Sequence, residues 1–345
     1  MMVAIGLLFA VLIAACEGPA PDSSNAPDPS STPAPNPDAA VVEEQVVGGQ
    51  AADAEPAPDS SQGLASPTAS LRFEQVDVWG LDDDLPAFDA PNHIDIGSDG
   101  NVYVTEFRGN RVFKLSPRGE LLAQWGGPGD GPGQLNAPTG IAVDGDGFVY
   151  VAESGASRIQ KFTGEGEFVT AWGEPGGEPG QFLSAMGIDI SADGRVYVAD
   201  FGNGRVQVFS VDGDLLFTFG SPGMAPGQFL RPIGLDLDGA GNVYVVDSVN
   251  ARVQTFTPDG ELIAVFDIGM RTPQVISVLP DGRFYVSDPQ DRRIGFYDVN
   301  GKRLALLPAA IPYRLPHGTV TGPDGAVYLA DTGNNVVRVF REVGE

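Results

Sequence analysis

A tyrosine returns six times along this chain at nearly even spacing: Tyr103, Tyr150, Tyr197, Tyr244, Tyr285 and Tyr328, at intervals of 47, 47, 47, 41 and 43 residues. Three residues after each stands an acid: Glu106, Glu153, Asp200, Asp247, Asp288 and Asp331. Eight after each stands an arginine (Arg111, Arg158, Arg205, Arg252, Arg293), except in the sixth copy, where Val336 takes its place. Fourteen positions past the arginine comes a large apolar residue: Trp125, Trp172, Phe219, Phe266 or Leu307. Copies of this length are supersecondary units that bury their faces only against one another. In the second copy GIAVD, FVYVAE, RIQKF and EFVTAWG alternate at the strand period, separated by DGDG, SGAS and TGEG. Those separators supply the positive φ angles that tight hairpins need. Four antiparallel strands per copy, six times over, predict an all-β fold, a six-bladed β-propeller.

The sixth copy runs out of residues before its fourth strand. The stretch 71–80, LRFEQVDVWG, matches EFVTAWG, with Trp79 in the place of Trp125 and Trp172. The expectation is that this amino-terminal strand completes the last blade from outside, closing the ring and leaving no unpaired edges.

The pattern PGQLNAPTGIAVDGDGFVYVAESGASRIQKF, repeated through 71–345, resembles the NHL repeat. That resemblance implies a six-bladed propeller and leaves function open, since the family holds both binding domains and enzymes.

Ahead of the repeats lie two other segments. Residues 2–15, MVAIGLLFAVLIAA, are an apolar run too short to span a bilayer comfortably, and they lead into the only cysteine, Cys16. The ending Ile13-Ala14-Ala15-Cys16 resembles the lipobox of bacterial lipoprotein signal peptides. The resemblance implies cleavage before Cys16, its acylation, and a lipid-anchored place in the cell envelope. With Glu17 next, it implies outer-membrane sorting in a cell with two membranes. Residues 17–70 carry no aromatic, Lys or Arg and are rich in Pro, Ala, Ser and Asp, so they read as a disordered acidic tether.

Nine of the 46 acids fall in that tether, which leaves the propeller 37 acids against 20 bases, a net charge of −17. Such a field repels nucleic acid, so the expected partners are the membrane, through the anchor, and an unknown protein, peptide or glycan ligand.

Function is sought where the copies disagree. Loops between blades and the turns joining second and third strands share one face of a propeller. Three inter-blade loops carry a PGQ(L/F) signature (Gln134, Gln181, Gln228), whereas the others read DIGMRTP, PAAIPYRLP and GLDDDLPAFDAPN. Unrepeated residues expected on that face are Phe107, Arg108, Phe201, Met224, Arg231, Arg271, Tyr313 and Arg314. The two histidines, His93 in PNHIDI and His317 in PHGTVT, open the innermost strands of copies one and six, which closure makes neighbours.

Recurrence favours structure elsewhere: the acid–arginine pairs read as turn clasps and DGDG as a hairpin. The histidines read first as hydrogen-bonded channel residues and second as a metal or acid/base pair. NHL-like peptidyl-amidoglycolate lyases hold zinc with three histidines, so two here would need a carboxylate as third ligand. The leading expectation is a non-catalytic binding scaffold without a cofactor. The alternative is a zinc- or calcium-assisted lyase or hydrolase at the channel mouth.

Overall fold

The computed structural model describes residues 71–345 apart from 82–86, 309 and 344–345. Cys16, the apolar run before it and the tether lie outside the described residues.

Six four-stranded antiparallel sheets follow one another in chain order, each numbered outward from the ring axis. Blade 1 has its inner strand at Pro91–Ile96, followed by Val102–Glu106, Arg111–Leu115 and Leu121–Gly126. The inner strands of blades 2 to 6 are Pro138–Val143, Ala185–Ile190, Pro232–Leu237, Ile276–Val278 and Pro316–Thr321. The sixth blade takes its outermost strand, Arg72–Trp79, from the amino-terminal side. Trp79 pairs there with Val337 as Trp125 pairs with Val112 and Trp172 with Ile159, so the expected closure holds to the residue.

The ends of the ring are joined, but the outer strand of each blade keeps one open edge, so the expectation of no unpaired edges is corrected. Those edges are apolar: Leu122, Val169, Leu216 and Ile263 hold one equivalent place on four blades and are about half exposed. Closing a ring pairs its two terminal strands with each other. It leaves the rims of the blades untouched.

The core is six clusters, one between each pair of neighbouring blades. All six repeat tyrosines are buried in them. The outer-strand aromatics recur for a specific reason. Each lies on a turn glycine of the next blade: Trp79 on Gly119, Trp125 on Gly166, Trp172 on Gly213, Phe219 on Gly260 and Phe266 on Gly301. These glycines have φ between +76° and +91°, and a Cβ on any of them would strike the ring beside it. The DGDG stretch is a hairpin. Asp144 Oδ1 accepts the amides of Asp146 and Phe148, and Tyr150 donates its hydroxyl to Oδ2.

The clasps are also structural. Each of the six acids accepts a backbone N–H of the preceding inter-blade loop, from Asp89, Asn136, Leu183, Leu230, Arg271 and Arg314. Four arginines close the clasp at 2.5–2.8 Å. In blade 5, Arg293 turns instead to Asp291. In blade 6, Arg338 replaces the missing arginine from two residues further on and meets Asp331 at 2.8 Å. Burial pushes the carboxyls of Glu106, Glu153 and Asp200 upward, opposed by these donors.

Candidate functional site at the channel mouth

The first inner-strand residues of all six blades converge around the axis. One column of that ring reads Asn92, Thr139, Met186, Ile233, Gln274 and His317, all lining a narrow cavity of about 20 Å³ that opens on the loop face. The next column reads Gly140, Gly187, Gly234 and Gly318 in four blades. A Cβ on Gly187 would lie 2.5 Å from the Ile233 carbonyl oxygen, and one on Gly234 2.6 Å from that of Gln274. Inner strands approach so closely that glycine is the fitting residue. The exceptions are Val275 in blade 5 and His93 in blade 1.

The two histidines are therefore not equivalent. His317 shares a column with Asn92, while His93 stands at the glycine place beside Gly318. Nδ1 of His93 accepts the Ile141 N–H at 3.5 Å, which puts the ring proton on Nε2. That Nε2–H is buried without a partner among the described residues. At His317, Nδ1 lies 2.8 Å from the Thr332 hydroxyl, which gives its own proton to the Pro91 carbonyl. The hydroxyl thus accepts from Nδ1–H, and the lone pair of His317 sits on Nε2. Burial lowers both imidazoles to about 4, so both are neutral at physiological pH. The site pairs one imidazole donor with one imidazole acceptor.

Deeper in the channel stand Asp95, Asp189 and Asp236. Each accepts an amide of the next blade: Val143 at 2.7 Å, Leu237 at 2.9 Å and Val278 at 2.6 Å. Burial, then the charge of Asp189, raises Asp95 to about 7. Burial likewise raises Asp189 and Asp236, which face one another. Among the described residues no three His, Cys, Asp or Glu side chains gather as a metal site. The histidine pair does not fit the three-ligand zinc arrangement.

The loop-face residues fall into three groups. Arg231 lies over the Phe201 ring at 5.4 Å, next to the cavity residue Ile233. Arg108 meets Asp89 at 3.2 Å near Phe107, and Arg271 reaches only to 3.7 Å from Asp291. Met224 and Arg314 are exposed, each on its own loop. Tyr313 is corrected: it is 2% exposed, packed 6.3 Å from Phe340 with Arg338 over its ring, and presents nothing at the surface. Its PAAIPYRLP loop is unrepeated because it packs between blades 5 and 6. Sequence reasoning missed Asn92, Thr139, Met186, Ile233 and Gln274. Aligning the column just before the conserved-in-place glycine would have shown six different side chains there.

The profile of the virginiamycin B lyase family matches residues 79–339. The chain belongs to the virginiamycin B lyase family. No curated protein matches the sequence. Among solved structures, a streptogramin B lyase superposes with a TM-score of 0.57 at 17% identity, covering 79% of this chain and 98% of that one. A catalytically inactive virginiamycin B lyase from Staphylococcus aureus with quinupristin gives 0.56 at 20%, covering 75% and 83%. A nidogen/laminin complex gives 0.55 at 20%, covering 67% and 85%. At these identities the likeness is one of fold, shared by virginiamycin B lyases and the nidogen/laminin complex alike.

Proposed function

We propose that the channel mouth is a ligand-binding site and that the chain is an NHL-type binding propeller of the cell envelope. The observation that carries this reading is the lining column, with six different side chains where the columns around it repeat. A purely structural ring would repeat as the tyrosines do. One arc is polar (Asn92, Thr139, Gln274, His317) and the other apolar (Met186, Ile233), the usual make-up of a small-molecule site. The lipobox-like Cys16 supports anchoring. The closing strand begins at Arg72, opposite Val343, at the end away from the loop face where Trp79 meets Val337.

The uncharged dye N-phenyl-1-naphthylamine tests the site. Saturable binding of one dye per chain is expected, abolished by Ile233→Lys, which sets a charge in the apolar arc. Absence of saturable binding, or binding indifferent to that change, would sink the reading.

A second reading is favoured by the His317–Thr332–Pro91 chain and the family. An elimination needs a neutral base held in one orientation. Nε2 of His317 would take a proton from carbon, its electrons would form the new double bond, and the leaving oxygen would depart with the broken bond's pair. Nε2–H of His93 is the donor for that oxygen. Chromatography with mass spectrometry of quinupristin after incubation separates the readings. Elimination adds no atoms, hydrolysis adds those of water, and a binder returns the compound unchanged.

A further inference from the structure

The bases of this acidic propeller are unevenly used. Twelve of the 20 have a carboxylate partner within 4 Å, most of them in clasps and turns. Arg231, Arg292 and Arg314 have none among the described residues, and all three are exposed on the loop face of blades 4, 5 and 6. Arg271 stands with them, at 3.7 Å from Asp291, which Arg293 already holds at 2.9 Å. The place of these arginines is fixed by backbone bonds. Ser248 N–H reaches the Arg231 carbonyl, Arg271 N–H the buried Asp288, and Gly333 N–H the Arg314 carbonyl. Arg231 is two residues ahead of the cavity residue Ile233, and Arg314 three ahead of His317.

Two of these positions are conformationally unfavourable for arginine. Arg231 has φ +61° and Arg292 φ +53°. The places equivalent to Arg231 hold Ala90, Ala137, Ser184 and, also at positive φ, Leu315, and those equivalent to Arg292 hold Asn110, Ser157, Gly204, Ala251 and Asn335. Small, Asn or Gly residues suit the left-handed region, whereas a long side chain there is strained. No other copy carries a charge at either place. The opposite face, by contrast, carries an aspartate in every first hairpin: Asp99, Asp144, Asp193, Asp238, Asp281 and Asp324. Three of these hold arginines of their own face, Arg195, Arg283 and Arg341, whereas Arg231, Arg292 and Arg314 hold no carboxylate among the described residues.

We propose that the mouth takes a small amphipathic anion, its apolar body against Met186, Ile233 and Phe201 and its anionic group on the Arg231–Arg314 crescent. This rests on the reading of the mouth as a binding site and names its ligand class. Arginine suits the role because its planar donors match a carboxylate or sulfonate in pairs. The Phe201 ring beneath Arg231 holds that guanidinium in place.

The test compares 8-anilino-1-naphthalenesulfonate with N-phenyl-1-naphthylamine, the same body without the charge, on the full chain by fluorescence titration. The sulfonate is expected to bind at least about tenfold more tightly in low salt, the advantage shrinking as salt screens it. Arg231→Gly combined with Arg314→Gln should remove that advantage and leave the neutral dye's affinity unchanged. Glycine suits the backbone at 231, so folding is not at risk, and Arg231→Lys should restore part of the preference. Equal affinities for the two dyes, or a sulfonate preference that survives the double substitution, would overturn the proposal while the neutral dye still marks the mouth. If neither dye binds, the mouth is no binding site and both readings fall.

Discussion

The seam between blades 1 and 2 and the seam between blades 5 and 6 are built on different principles. At the first, polar groups cross at every level. Ala137 N–H bonds the Asn110 side chain at 2.8 Å, Thr105 donates to the Thr139 carbonyl at 3.1 Å, and Val143 N–H reaches Asp95 at 2.7 Å. Lys114 adds an ion pair to Glu165 at 2.7 Å. At the second, no side-chain hydrogen bond joins the two blades among the described residues. Aromatic rings do the joining. Tyr285 and Phe296 of blade 5 stack at 4.4 Å, and Phe73 of the closing strand meets them edge-on at 6.1 and 6.0 Å. The strand that completes blade 6 therefore also locks it to blade 5. Hydrogen bonds fix spacing and register, and His93 takes part in them by accepting the Ile141 N–H across this seam. Apolar contact is non-directional and tolerates the shorter, irregular repeats of blade 5.

The comparison can be broken most forcefully at Phe73. Phe73→Ala should cost about 3–5 kcal/mol in denaturant unfolding and raise hydrogen exchange first in blades 5 and 6. A uniform rise around the ring would mean that this seam is not distinct. Next comes the clasp. Arg158→Ala leaves Glu153 buried with an unmet charge and should cost about 2–3 kcal/mol, against under about 1 kcal/mol for Arg293→Ala, whose arginine has left its clasp. Equal costs would show that the clasp geometry matters little. A smaller loss, about 1 kcal/mol, is expected for Asn110→Ala, which removes a latch that seam 5–6 never had.

A pH slope tests the polar seam at Asp95. Asp95 is raised to about 7 in the folded chain, so the native state binds more protons than the unfolded one from about pH 4 to 7. Stability from this group therefore falls as pH rises through that window. The histidines are lowered to about 4, so their contribution rises with pH from about 4 to 6.5 and opposes the first, two groups against one. Asp95→Asn should raise the melting temperature at pH 8 and scarcely change it at pH 4. An equal shift at both would remove Asp95 as the source.

Much of this was legible in advance. The tyrosine, acid, arginine and aromatic columns are local consequences of a strand period and a hairpin turn, so they recur in the chain as they recur in space. Trp79 gave away the closing strand because its partner, a glycine in the next blade, selects an aromatic in five of the six copies, Leu307 being the exception. Tyr313 misled because an unrepeated loop residue looks the same whether it meets solvent or fills an irregular gap. Arg338 was illegible as a clasp, since a shift of two residues along a strand keeps its face but changes its sequence position.

Repetition, turn chemistry and alternation thus settled the number of blades, the strands in each and the way the ring closes, because these depend on neighbours in sequence or one repeat away. The site depended on convergence. Asn92, Thr139, Met186, Ile233, Gln274 and His317 come from six blades, and no local rule links them until the ring brings their strands to one axis. The state of the histidines was settled there too: the Ile141 amide and the Thr332 hydroxyl fix which nitrogen carries the proton, and burial keeps both rings neutral.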